Sequence, residues 1–220
     1  MKKAKNQVQI QNSFDLFCLL KNLGYLKNPP HNLWWPNAGR FEVIIGAILV
    51  QNTRWESAFN AINRLRTKDL LSLESLANIP LTTLQNLIND VGFFRQKSQR
   101  ILWLCQNILV EFGDFESFCE NVSREWLLSQ KGIGNETCDA ILCYGALREE
   151  MVADQYTYKL LKSYGYELEN YDDIKEWLVS GIIENYEKIC KLYGYPIPLN
   201  VLYARFHGKI VEYCKENKFK

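Results

Sequence analysis

An aspartate at the head of a helical run, a Gly-x-Gly turn and three tryptophans beside chain breaks are the groups in this 220-residue sequence that can do chemistry. In LLSQKGIGNETCDAILCYG (residues 127–145), Gly132, Ile133 and Gly134 separate two apolar segments. Cys138, Ile141, Leu142 and Gly145 follow the i, i+3, i+4, i+7 spacing of a buried helix face, and Trp126, Leu127 and Leu128 furnish the preceding helix. Glycines let a backbone turn sharply and approach a ligand closely, and the second helix points its positive end at the same spot, which suits a phosphate. A plain connector between two helices is the other reading of this turn. Asp154 starts a further helical run, where hydrogen bonds and the helix dipole favour the ionised form; capping and catalysis are compatible there. A fixed carboxylate can stabilise a positive charge that develops beside it and can orient water. Trp34, Trp35 and Trp55 sit near proline breaks or helix ends, where rings can project into a cleft; filling a core is their other fate. Two adjacent tryptophans do not easily share one face, so at least one is expected in a pocket.

Lys209 falls on the stripe Leu202, Phe206, Lys209, Tyr213 of a C-terminal helix. A buried lysine needs an anionic partner, a lowered pKa or a covalent change that removes its charge; a stem that snorkels to solvent is the alternative. His207, beside a glycine, reads as a satisfied histidine rather than a catalyst. Metal and cluster chemistry finds little support. No Cys-x-x-Cys occurs among the seven cysteines, Cys190 and Cys214 are too few for an iron–sulfur nest, and His31 and His207 lack zinc-site spacing. No cofactor is expected. The scattered, odd-numbered cysteines fit reduced core thiols in an intracellular protein.

These groups must be positioned by helices, because the periodicity is helical almost throughout. Helices are expected at residues 13–24 with Ser13 as cap, 40–65, 73–77, 81–91, 95–111, 115–119, 123–130, 136–146, 154–163, 172–183 and 199–216. The prolines of NPPHNLWWPN interrupt the pattern, and EEMVAD is the single short β-like run. With 47% hydrophobic residues the chain can bury one good core or two modest ones. The longest apolar run, residues 43–50, is too short to span a bilayer, and the basic N-terminal stretch lacks the apolar segment of a signal peptide. At a formal net charge of +1, a polyanion must be met by a local patch.

The segments together resemble the endonuclease III, or helix–hairpin–helix, superfamily of DNA glycosylases. LLSQKGIGNETCDAIL is similar to its hairpin element, MVADQYTYKLL to the segment with its catalytic aspartate, FEVIIGAILVQNT to its core helix and the turn that enters the minor groove, and VGFFRQKSQRI to its next basic helix. Glu136 stands where bifunctional members carry a lysine that attacks the sugar, and a carboxylate cannot form a Schiff base. NLWWPN and YARFHGKIVEYCK resemble the 3-methyladenine branch that lacks an iron–sulfur cluster.

The resemblance implies an all-α protein of two helical domains, residues 37–148 and residues 1–36 with 149–220, with a DNA-binding cleft between them. It implies a monofunctional glycosylase that excises alkylated purines, 3-methyladenine foremost, by base flipping, with Asp154 as catalytic carboxylate. The implied base pocket is lined by Trp34, Trp35, Pro36 and Trp55, with Lys209 and Lys215 at hand. Gly132, Ile133 and Gly134, with Lys131 beside them, would hold a DNA phosphate, and Gln51 and Asn52 would fill the gap left by the flipped base. Arg95, Lys97 and Arg100 are candidate backbone contacts, a solvated charged face being the commoner origin of such a run. The implied partner is damaged double-stranded DNA, met by a monomer in a bacterial-type cytoplasm at the nucleoid. Two rivals stay open: a glycosylase/lyase that uses Lys131 or Lys209, and a non-catalytic DNA-binding module.

Overall fold

The computed structural model describes residues 9–29 and 31–218, and among them all regular structure is helical. The basic N-terminal stretch up to residue 8 and Pro30 lie outside the described residues. The chain divides into two compact units, one of Trp35–Glu150 and one that joins the described residues up to Trp34 to those from Met151 on.

The first unit is built around α2 (Glu42–Leu49), whose residues from Val43 onward are all buried. A helix apolar on every side has to be enclosed, and α3 (Trp55–Thr67), the long α6 (Phe94–Phe112) and α9 (Asn135–Ala140) pack against it. The short helices α4 (Leu73–Asn78) and α5 (Leu81–Leu87) rest on α6, as does α7 (Phe115–Asn121), and α8 (Arg124–Ser129) pairs with α9. Instead of one helix over residues 40–65, the chain breaks between α2 and α3. Asn52 takes a left-handed φ of 49°, a conformation that asparagine tolerates. The break is held by Lys97 of α6, whose ammonium donates to Leu49 O at 2.8 Å, Gln51 O at 2.6 Å and Thr53 Oγ1 at 2.8 Å. After α9 the chain widens into a π turn at Ile141–Gly145.

The second unit contains α1 (Ser13–Asn22), α10 (Gln155–Ser163), α11 (Tyr171–Glu184), α12 (Tyr186–Tyr193) and α13 (Leu199–Glu216). Their apolar faces meet around Leu16, Phe17, Leu160, Leu178, Ile182 and Phe206. Asn12, not Ser13, caps α1: its Oδ1 accepts from Asp15 N, while Ser13 is buried and donates to Leu178 O at 2.8 Å across α11. Gly181 permits that approach, since a β-carbon there would press on Ser13. The helix α12 was not expected from the sequence; Asn185 ends α11 and leads straight into it, and Gly194, at φ 79°, closes it. EEMVAD forms no strand. No helix among the described residues is long and apolar enough to cross a membrane.

Candidate functional site

The hairpin is a braced object. Between α8 and α9, Gly132 has φ 86° and Ile133 N donates to Gln130 O at 3.1 Å, while the Ile133 side chain is buried. Arg124 Nε reaches the wholly buried Asp139 at 2.9 Å and its Nη2 reaches Asn135 Oδ1 at 3.2 Å, so one guanidinium ties the two helices together. The two glycines have different reasons to be glycine. At Gly132 the positive φ excludes most side chains, and a β-carbon would collide with Arg100. Gly134 has an ordinary φ of −99°, and a β-carbon there has no neighbour within 4 Å. Its backbone conformation does not require glycine. What glycine gives there is an open approach to the backbone.

Gln51 is brought to the same place. Its Nε2 donates to Gly132 O at 3.2 Å and to Thr137 Oγ1 at 2.9 Å, and its Oε1 accepts from Arg100 Nη1 at 3.3 Å. Asn52 is exposed beside it. Lys131 is exposed with its Nζ 4.9 Å from the ring centre of Trp103, itself 38% exposed. Lys97, expected as a backbone contact, is corrected: all three ammonium donors are spent on the α2–α3 break and the residue is 2% exposed. Burial and the nearby Arg100 push its pKa down to about 8.

Phe93 is a residue the sequence reading passed over. It is 66% exposed at a left-handed φ of 58°, just before α6, in a turn whose Gly92 abuts Asn52 O and Thr53 Oγ1. A bulky residue held exposed in that conformation is a feature with a cost. The signal was the Gly-Phe-Phe that opens VGFFRQKSQRI.

In the other unit, Asp154 caps α10. Its Oδ1 accepts from Thr157 N at 2.8 Å and Thr157 Oγ1 at 2.9 Å, and its Oδ2 lies 3.4 Å from His207 Nε2 on α13. Burial alone would raise the carboxyl pKa; the His207 contact and the Thr157 bonds outweigh it and hold the group below its ordinary value. His207 and Trp34 meet edge to face, with ring centres 5.3 Å apart and planes at 87°. Trp34 has φ 69° and lies along α13 because Gly208 has no side chain; a β-carbon there would collide with the indole. The indole N–H donates to Glu212 Oε1 at 3.0 Å, and Lys215 Nζ stands 5.7 Å from its ring centre. Asp154, Trp34 and Lys215 are therefore joined through His207 and Glu212, two residues the sequence reading gave no role.

Lys209 is 2% exposed and does not snorkel; its ammonium donates to the Tyr25 carbonyl. Burial, then the charges of Arg205 and Lys21, lower its pKa to about 8. Trp35 and Trp55 belong to the unit of the hairpin. Trp35 is 8% exposed, packed on Gly46 and Tyr144, and meets the half-buried Trp55 edge to face at 5.7 Å. Pro36, next in the chain, is half-buried. All seven cysteines are free thiols. Among the described residues no group of three or more His, Cys, Asp or Glu side chains is placed to hold a metal ion.

A helical fold with a braced hairpin and a capped, ionised aspartate defines a class, and comparison identifies it. Residues 45–182 match the model of the HhH-GPD superfamily base excision DNA repair protein, and the chain belongs to that superfamily. A Methanocaldococcus jannaschii protein named as a DNA repair glycosylase is 34% identical over 193 residues, which cover 84% of this chain and 81% of that one. The structure of Helicobacter pylori 3-methyladenine DNA glycosylase (MagIII) bound to 1,N6-ethenoadenine superposes with a TM-score of 0.89 at 43% identity, over 94% of this chain and 98% of that one. A trapped endonuclease III–DNA covalent intermediate shares the fold, with a TM-score of 0.70 at 15% identity over 94% and 88% of the two chains. The chain is thus a DNA glycosylase by family, a hydrolase of N-glycosyl bonds acting on DNA.

Proposed function

We propose that the protein is a monofunctional glycosylase that releases alkylated purines, 3-methyladenine foremost, from double-stranded DNA. The observation that carries this reading is the Asp154 carboxylate, held ionised and linked through His207 to the indole of Trp34. As the base leaves with the electrons of its bond to the sugar, positive charge develops on the sugar, and a carboxylate already oriented by Thr157 stabilises it without reorganising. Water then adds to the sugar carbon and gives up its proton. A purine methylated at N3 is cationic while attached, so it departs with little need of a general acid and stacks well on indole faces. Trp34, Trp35, Pro36, Trp55 and Lys215 are the pocket residues in this reading.

Gly132, Ile133 and Gly134 with Lys131 take a DNA phosphate, the openness at Gly134 supporting that role. Gln51, Asn52 and Phe93 enter the space the base vacates; Phe93 is an exposed, conformationally fixed aromatic that can wedge between bases. The absence of lyase chemistry rests on Glu136 at the position of the nucleophilic lysine and on Lys209 being turned to the Tyr25 carbonyl. We assign a monomer acting at the bacterial-type nucleoid. Methylated duplex incubated with the protein should yield free 3-methyladenine and intact abasic strands. Borohydride trapping of a covalent adduct would overturn the monofunctional assignment, and the release of no base would leave only a binding module.

A further inference from the structure

We propose that Glu212 is a specificity-determining residue, which fixes the Trp34 indole and neutralises Lys215 so that a cationic base gains more than a neutral one by stacking on that ring. This rests on the reading of Trp34 as a base-stacking face. One carboxylate oxygen serves both neighbours: Glu212 Oε1 accepts from Trp34 Nε1 at 3.0 Å and lies 3.4 Å from Lys215 Nζ. The same ammonium stands 5.7 Å from the centre of the Trp34 ring. Gly208, Glu212 and Lys215 follow one another at four- and three-residue intervals on α13, so the indole lies along a single helix face.

That face makes two opposed demands on a cationic base. The indole surface attracts it, and more so when the ring N–H donates to a carboxylate that pushes electron density into the ring. Lys215 repels it, and already occupies the kind of position that the base would take. Glu212 reconciles the two, because its charge cancels that of Lys215 while its oxygen holds the ring. The side chains of Lys215 and Glu212 are 45% and 39% exposed, so water screens the pair in the free protein. A base stacked on Trp34 expels part of that water, and the charge balance then acts at short range and lower dielectric.

Glu212→Gln separates these roles, since the amide oxygen can still accept from the indole N–H while the charge is gone. Lys215→Met in the same background removes the cation left uncompensated. Two readouts are taken on the wild type and both variants: binding of 1-methyladenosine, a cation at neutral pH, against neutral adenosine, and single-turnover release of 3-methyladenine against 1,N6-ethenoadenine from duplex DNA. Glu212→Gln should lower the cation-to-neutral ratio about fivefold, equivalent to about 1 kcal/mol, and Glu212→Gln/Lys215→Met should restore it to within about twofold of the wild type. Equal losses for both ligands, or a ratio unchanged in both readouts, overturn the assignment. A shifted binding ratio in a protein that releases no base would instead retire the glycosylase reading and leave Glu212 in place. Unfolding midpoints exclude a loss of fold as the source of either result.

Discussion

Replacing Asp154 by Asn isolates the charge of the carboxylate from its structural work. Thr157 N and Oγ1 both donate to Oδ1, and an asparagine can keep both bonds; Asn caps helices about as well as Asp, so the fold should survive. What is lost is a negative charge in a site where the side chain is 12% exposed. A unit charge about 4 Å from a developing sugar cation is worth about 4 kcal/mol at an effective dielectric of about 20. Removing one preorganised electrostatic group from other active sites costs about 2.7–4 kcal/mol. At 1.36 kcal/mol per decade the expectation is a loss of about 100- to 1,000-fold in single-turnover release of 3-methyladenine, with duplex affinity nearly intact. A release rate within tenfold of the wild type, in a variant still folded at the assay temperature, would refute the electrostatic argument. Stability against pH supplies a second arm. The folded carboxyl titrates below its ordinary value of 3.8, so it stabilises the fold fully above that value and loses the contribution as pH falls through the lowered one. Asp154→Asn should therefore be less stable near neutrality by an amount that vanishes in strong acid.

Gly134→Val should weaken binding to damaged and undamaged duplex alike at the cost of no more than about 1 kcal/mol of stability, because its β-carbon meets nothing and only the N-cap of α9 becomes poorer; preserved affinity with a preserved salt slope would return the turn to a plain connector. Lys97→Met should destabilise the protein in denaturant titrations by about 1–3 kcal/mol for each buried carbonyl left unsatisfied, Leu49 O and Gln51 O being the two at risk. A neutral effect would mean that water replaces the ammonium. Trp55→Ala should reduce release of 3-methyladenine and spare non-specific duplex binding, since Trp55 packs on Trp35 and Phe59. Release of uracil or of oxidised pyrimidines as fast as 3-methyladenine would undo the assignment to alkylated purines.

Helices were legible wherever their buried face repeats locally, as along α6, with Ile101, Leu104, Cys105 and Ile108 inside. The break after α2 was not, because the group that satisfies its carbonyls is Lys97, more than forty residues away in sequence. Lys97 was misread for the same reason: among Arg95 and Arg100 it looks like one more surface cation, and only packing reveals that it points inward. The cap of α1 was placed one residue late because Asn12 and Ser13 are both good caps, and the choice is made by Leu178 accepting the serine hydroxyl. Asp154 was visible as a capping residue by its position, whereas its contact with His207 joins two helices and leaves no local spacing to detect. Phe93 lay in plain view, yet its exposure follows from the left-handed turn that the loop of Asn52 and Thr53 supports.

The freedom at Gly134 bears on how this chain can be engineered. A library selected for heat resistance alone does not favour glycine at that position, since the backbone there accepts a side chain without strain, the space above it is open, and the N-cap of α9 prefers a polar side chain. Gly134→Ser or Gly134→Asp would even be favoured, by restricting the unfolded chain and by capping α9 with a side-chain oxygen. Hardier descendants would drift away from glycine, each folding as well as its parent while the hairpin loses the bare backbone that sets it apart from an ordinary helix junction. Directed evolution of this protein therefore needs a duplex-binding step in every round.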